Sequence, residues 1–479
     1  MNHLQTRYQT NLSLLTDLYQ LTMAYGYWKT GSAENEAVFH LFYRKNPFGG
    51  NYAIACGLQD VIDFLSDFKF TTSDLEYLRS LKNNKNQALF EDDFLDYLRH
   101  LEFSCDIDAV EEGTIVFPHE PLLRVTGPLL QAQFIETFLL NSINFQTLIA
   151  TKSARIVAAA EEDPVQEFGL RRAQGIDGGL SASRAAYIGG CVATSNVLAG
   201  KIYDIPVKGT HGHSWVMSFD DELEAFEAYA KVMPDNCVLL VDTFDTIKGI
   251  KKAIIVAEEL RKNGHSFLGI RLDSGDLVAL SIQARQLLDA AGFEAAKIVA
   301  SDSLDEYKIK ALKAKGALID VWGLGTNLVT AKDQPALGGV YKLAAIRKKE
   351  SDWTYKIKLS NTSTKVSTPG ILQVRRYFVS DGLPFGDMIW NIDNKELFPR
   401  IQSFDGRTIV ANNRLFKDLL IPIFKQGKLV YQSPSIHQIR AYRQEQVTLF
   451  QKVDFKLYPK GLEQQLNKQK LSLIQQHLL

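Results

Sequence analysis

A chain of 479 residues, 46% of them hydrophobic, exceeds a single compact core and divides into two or three domains. Its 54 Lys and Arg against 55 Asp and Glu give a formal charge of −1, so no strong overall field points at nucleic acid or a membrane surface, and local charge must carry function. Cys56, Cys105, Cys191 and Cys237 are scattered without a CxxC pair, which argues against a disulfide framework or zinc site and for reduced thiols. No basic stretch leads into an apolar run at the amino terminus, and no window approaches about 20 apolar residues. A cytoplasmic protein with no membrane or nucleic-acid partner is expected.

Residues 14–30 carry apolar spacing at Leu18, Leu21, Met23 and Tyr25 behind Thr16 or Asp17 as N-cap, which predicts a helix. EAVFHLFYR at 36–44 reads as a strand, KNPFGGN as a breaker and YAIAC as a second strand. Residues 57–104 alternate helical periods with a polar patch at Lys82–Asn86, and 108–127 read as short strands cut by Gly113, Pro118 and Pro121. Residues 1–130 therefore predict a mixed α+β domain. From Pro128 a long helical pattern runs to Glu161–Asp163 as a spine, and its pattern fits one kinked helix or two.

Within residues 131–340 five segments repeat one plan, an apolar run, a polar glycine-rich corner and a helical pattern: PVQEFGLRRAQG, IPVKGTHGHSW, CVLLVDTFDT, FLGIRLDSGD and IDVWGLGTN. The helix after Asp242 puts Ile247, Ile250, Ile254, Ala257 and Leu260 on one face and closes at Asn263–Gly264. Spacings of roughly thirty residues from Thr210 to Asp242, Asp273 and Asp302 suit a strand plus a covering helix. In serial βα units the carboxyl ends of parallel strands share one edge, so Arg171, Thr210, His213, Asp242, Arg271, Asp273 and Thr326 should meet in one phosphate-handling mouth. Residues 341–479 alternate apolar and polar residues around turns at Ser351–Asp352, Pro369–Gly370 and Asp381–Gly382, then end from about Val447 in a glutamine-rich helical tail.

Each corner has a bland reading beside a functional one. RLDSGD places Asp273, Ser274, Gly275 and Asp276 where a helix start offers N–H groups to an anion, where carboxylates hold ribose or Mg²⁺, or where an ordinary N-cap sits. Gly323 to Thr326 (GLGT) reads as a phosphate cradle or a tight βα turn; neither GxGxxG nor a Walker lysine is present. VLLVDTFDT only approaches the apolar-plus-acidic motif by which the commoner phosphoribosyltransferases hold ribose, a near miss because Asp242 alone occupies the acidic pair. His211 and His213 serve as base, as nucleophile toward phosphorus or as structural residues, and their spacing is poor for zinc. Arg171 or Arg172 fits a bidentate carboxylate or an interdomain ion pair.

TDLYQLTMAYGYWKTG, FYRKNPFGGNYAIACGL, EFGLRRAQG, GGCVATSNVLAGKIYDIPVKGTHGHSWV, VDTFDT, GIRLDSGD, GLGTNLVT and KLSNTSTKVSTPG, in this order over roughly residues 14–390, together resemble the nicotinate phosphoribosyltransferase family. The resemblance implies an irregular TIM-like α/β barrel plus an α+β domain built from the N-terminal and C-terminal parts, and a homodimer with active sites near the subunit interface. It implies formation of nicotinate mononucleotide and pyrophosphate from nicotinate and 5-phosphoribosyl 1-pyrophosphate with coupled ATP hydrolysis, a salvage entry to NAD. By resemblance Tyr19 stacks on the pyridine ring, Arg171 and Arg271 lie near its carboxylate or the ribose phosphates, and Thr210 hydrogen-bonds in the same pocket. His213 aligns with the family histidine that ATP phosphorylates. Asp242, Asp273, Ser274, Gly275, Gly323, Gly325 and Thr326 serve ribose, phosphate and Mg²⁺, with Asp242 and Asp273 as metal residues, directly or through water.

Gly212 stands where relatives often carry alanine, which suggests a looser loop, and Val192 stands where a polar residue is expected. Three rival readings stay open. A nicotinamide phosphoribosyltransferase would want an acidic residue where Thr210–His211 stand. A silent NAD-metabolite-binding protein would have lost His213 or Asp273. An aldolase-like barrel would need a Schiff-base lysine, for which Lys208 is the candidate.

Overall fold

The computed structural model describes residues 11–362 and 365–478; Ser363 and Thr364 of the KLSNTSTKVSTPG block lie outside the described residues. The chain forms two compact units. One comprises Met1–Thr147, Ala336–Ser435 and Ala441–Leu479, the other Leu148–Pro335 and Ile436–Arg440. Among the described residues no helix is long and apolar enough to cross a membrane.

In the first unit, both ends of the chain share a sheet. The strand Glu36–Tyr43, buried along nearly its whole length, pairs antiparallel with Leu123–Pro128 on one side and with Gly339–Arg347 on the other. Such a run, apolar on both faces, belongs at the centre of a sheet. A second sheet of six strands is assembled from residues beyond 370. Its Leu372–Phe378 and Pro384–Asn391 form the hairpin expected around Asp381–Gly382, where Gly382 takes φ +82. The expected amino-terminal helix spans Leu18–Lys29, with Asp17 at the N-cap position. The spine resolves into two helices, Leu129–Phe134 and Glu136–Ala160. The tail is more than a helix: strand Lys460–Glu463 separates helices Ile436–Gln451 and Gln464–Leu478.

In the second unit six strands run parallel: β1 (Val165–Glu167), β2 (Ala193–Thr194), β3 (Val238–Leu240), β4 (Gly269–Leu272), β5 (Lys297–Ala300) and β6 (Val321–Leu324). Their order is β2-β1-β6-β5-β4-β3. Leu240, Ile270, Leu272, Ile298, Ala300, Trp322 and Leu324 are fully buried, as expected when helices cover a parallel sheet.

The sequence expectation needs correction at one of the five segments. IPVKGTHGHSW contributes no strand, only an isolated bridge from Val207 to Thr194, because Pro206 lacks the N–H that a continuing ladder needs. The same segment reaches the far edge of the sheet, where the backbone N–H of Leu240 donates to His211 Nε2 at 3.2 Å. An irregular stretch thus links β2 to β3 where a strand ladder would otherwise close the ring.

Candidate active site

Five of the six strand ends, all but that of β3, open on one cavity of about 310 Å³. Of the residues singled out in the sequence, Arg171, Thr210, Arg271, Asp273, Gly323, Gly325 and Thr326 line it, joined by Arg172. Phe168, Ser195, Gly209 and Asp302 also line it, in segments or at a spacing already picked out but with no role assigned to them, and Ser301 and Ser303, which lay in no recognised motif, join them. The SDS run after β5 could have been found by extending the strand-end argument to the short apolar run KIVA.

Neighbouring strand ends are clamped together by side chains. Asp242, just past β3, accepts from Asp273 N–H at 2.8 Å and from Ser274 Oγ at 2.7 Å. Asp242 therefore sits beneath the mouth and shapes the turn that presents Asp273. Gly275 takes φ +84 in that turn, a conformation that favours glycine. Asp276 caps the following helix, Leu277–Ala290, by accepting from Val278 and Ala279, so RLDSGD divides its work: the last aspartate is the N-cap and the first faces the cavity. Asp273 Oδ1 accepts from Ser301 Oγ. Gly323 is required on other grounds, since a Cβ there would lie 2.8 Å from the Phe168 ring.

Arg271 is mostly buried and donates to Thr210 Oγ1 at 2.5 Å, while its Nε has no partner. Burial pushes the Arg271 pKa down; Asp273 and Asp242 oppose that shift and Arg171 adds to it. Three guanidinium groups, Arg171, Arg172 and Arg271, face two carboxylates, Asp273 and Asp302, and Asp302 is already paired with Lys308 at 2.5 Å. The excess positive charge suits an anion. Asp302 also takes φ +132, a strained backbone for a non-glycine residue of the kind that gathers at functional sites.

The two histidines have different surroundings. Burial, with the charges of Arg271 and His213 adding and a hydrogen bond to Gly212 opposing, pushes the His211 pKa down to about 4; its Nε2 accepts from Leu240, so His211 is the structural one. The side chain of His213 is 40% exposed, with Nε2 3.7 Å from Asp273 Oδ2 and Nδ1 3.1 Å from Thr243 Oγ1. One ring nitrogen is therefore oriented while the other points toward the carboxylate at the mouth. Gly212 takes an ordinary φ of −100, and a Cβ there would meet only Ser214 Oγ at 3.8 Å, so the position has room for alanine. Lys208 is exposed and is not among the lining residues, which leaves a Schiff-base chemistry without its lysine.

Tyr19 belongs to the first unit, where its hydroxyl lies 3.4 Å from Glu136 Oε2 and the residue is 48% exposed. That unit also gathers cations that no motif announced. Burial, then the charges of Lys470 and Arg44, pushes His119 down to about 4. Burial pushes Lys470 down to about 8, and its Nζ donates to Thr368 Oγ1 at 3.2 Å.

No group of three or more His, Cys, Asp or Glu placed to hold a metal ion occurs among the described residues. Asp242 Oδ1 is buried without a partner, and the neighbouring Asp273 supplies a second carboxylate. That set fits Mg²⁺, a hard cation that takes one or two carboxylates and completes its shell with substrate phosphate and water.

Fold and mouth together define an α/β protein with an arginine-rich mouth, suited to an anion, at the carboxyl ends of parallel strands. Residues 14–144 match the nicotinate phosphoribosyltransferase N-terminal domain, 164–367 the nicotinate phosphoribosyltransferase family and 372–457 the nicotinate phosphoribosyltransferase C-terminal domain. The nicotinate phosphoribosyltransferase of Bacillus subtilis is 46% identical over 448 residues, covering 92% of this chain and 89% of that one. The Dictyostelium discoideum protein of the same name is 38% identical over 496 residues, covering 91% and 82%. The crystal structure of human nicotinic acid phosphoribosyltransferase matches with a TM-score of 0.82 at 32% identity over 96% of this chain and 99% of that one. The chain belongs to the nicotinate phosphoribosyltransferase family.

Proposed function

We propose that the chain transfers the phosphoribosyl group of 5-phosphoribosyl 1-pyrophosphate to the ring nitrogen of nicotinate, giving nicotinate mononucleotide and pyrophosphate, with ATP hydrolysis coupled through phosphorylation of His213. The observation that carries this reading is that three guanidinium groups and the Asp273 carboxylate line one mouth. As pyrophosphate leaves, positive character grows on the anomeric carbon and negative charge on the leaving group, so the site must hold the ring in line and neutralise phosphate oxygens. Arginine forks grip a carboxylate or phosphate in bidentate fashion and gain far less from a neutral amide, which favours nicotinate over nicotinamide.

Arg171 and Arg271 hold the pyridine carboxylate or the ribose phosphate, with Thr210 fixing Arg271. Gly323, Gly325 and Thr326 give phosphate close access to the backbone, and Asp273, Ser274 and Gly275 form the ribose side. Asp242 and Asp273 would hold Mg²⁺, directly or through water, and the ion supplies neutralising charge to the pyrophosphate. Tyr19 is assigned to stack on the pyridine ring. His213 acts through Nε2, the nitrogen on the Asp273 side: it bonds to the γ-phosphorus of ATP as the bond to ADP breaks, and water later cleaves the phosphoramidate to release phosphate. The added charge beside the mouth would tighten binding of the phosphoribosyl donor. The protein is further assigned to a cytoplasmic homodimer in NAD salvage.

The reading is tested with His213→Asn. The variant is expected to fold, to retain slow ATP-independent transfer and to lose ATP stimulation and label from γ-³²P-ATP. ATPase activity equal to the wild type in that variant contradicts the phosphohistidine.

A further inference from the structure

Beneath the mouth lies a polar network that the transfer chemistry does not use directly. Glu167, the last residue of β1, is fully buried, as are Ser183, Thr194 and Asn196 around it. One oxygen of its carboxylate accepts from the backbone N–H of Gly169. The other is 2.9 Å from Ser183 Oγ and 2.5 Å from Thr194 Oγ1. Asn196 extends the network, donating its N–H to Thr194 Oγ1 at 3.0 Å and its side-chain amide to Ser183 Oγ at 3.2 Å. A buried carboxylate is costly unless its oxygens are matched by donors, and here three donors converge on it.

The consequences fall on two segments of the mouth. Gly169 opens the turn Leu170–Arg172, and a Cβ at Gly169 would lie 2.3 Å from Val329 Cγ1, so the turn is held from below by Glu167 and from the flank by Val329. Thr194 directly precedes Ser195, whose N–H donates to the Glu167 carbonyl at 2.8 Å. We propose that Glu167 is a positioning residue: its buried carboxylate, bonded to Gly169 N–H and to the hydroxyls of Ser183 and Thr194, fixes together the two segments that bring Arg171, Arg172 and Ser195 to the cavity. This role rests on the proposed use of the mouth and accounts for the EFGLRR and VATSN motifs as one device.

A double-mutant cycle tests it, with nicotinate mononucleotide as the calorimetric probe, at a temperature well below the melting point of each variant. Glu167→Ala is expected to bind about tenfold or more weakly, the scale of losing hydrogen bonds to a charged group. Glu167→Gln, which keeps the volume and the acceptor for Gly169, should stay within about threefold of the wild type. The Glu167→Ala, Arg171→Ala double variant should lose clearly less than the product of the two single losses, because both changes act on the Arg171 contact. Should Glu167→Ala fail to fold, Thr194→Val removes one donor at constant volume and enters the same cycle. Losses that multiply, or a folded Glu167→Ala that binds as the wild type does, overturn the positioning role alone. Absence of binding by the wild type overturns the proposed function and the role with it.

Discussion

Thr210 and Arg271 are neighbours only in space: the threonine hydroxyl is the acceptor that aims a mostly buried guanidinium whose Nε has no partner. Thr210→Val keeps the shape and removes the acceptor, so kcat/KM for nicotinate is expected to fall about tenfold, carried by KM, with little change in unfolding free energy; an unchanged KM would separate Thr210 from ligand binding. His211 predicts a pH effect whose sign follows from its neutral role. Its pKa is pushed from 6.5 to about 4 in the folded state, so between those values the unfolded chain binds more protons. The stabilisation is complete above about pH 6.5 and is lost as pH falls toward 4, by up to about 3 kcal/mol. Urea unfolding at several pH values should show the wild type losing this increment relative to His211→Gln, which can accept from Leu240 without titrating; parallel curves would contradict it. Residue types and strand-end spacing brought Arg171, Arg271 and Asp273 into view, but not that Asp242 lies beneath the mouth or that Glu167 anchors it. Those depend on contacts between segments.

The covering helices approach the strand ends closely. Gly249 in the helix Thr246–Lys262 has no room for a side chain, because a Cβ would stand 2.2 Å from the Val241 carbonyl oxygen. Gly249→Ala should therefore destabilise by about 1–3 kcal/mol and displace Asp242, lowering turnover as well; a variant with unchanged denaturant midpoint would show that the helix yields freely. Glycine in that helical pattern is legible as a cost, yet its reason is visible only in three dimensions. The same holds for β2 and β5, which span two and four residues. Runs so short have no resolvable period and become strands only because parallel neighbours exist. The long spine was legible as helical, and its break at Ile135 was not.

The first unit joins segments about three hundred residues apart, a pairing that no local pattern reveals and that entered the sequence reading only through the family resemblance. Its interior holds Arg376, bonded in bidentate fashion to Asp387 at 2.9 and 2.7 Å and to the Ile115 carbonyl at 2.8 Å. Arg376→Met leaves the buried Asp387 carboxylate, still accepting from the Tyr458 hydroxyl at 2.8 Å, without its cation and should cost about 3–5 kcal/mol in equilibrium unfolding. A loss within error of zero would mean that the strand pairing tolerates the bare charge. Across the whole molecule, fold, mouth and family agree on one reaction. The most direct test is steady-state turnover of nicotinate and of nicotinamide, measured separately with 5-phosphoribosyl 1-pyrophosphate and Mg²⁺, with and without ATP. ATP-stimulated formation of nicotinate mononucleotide, with nicotinamide turned over far more slowly, is the expected result; preference for nicotinamide, or turnover of neither, would contradict it.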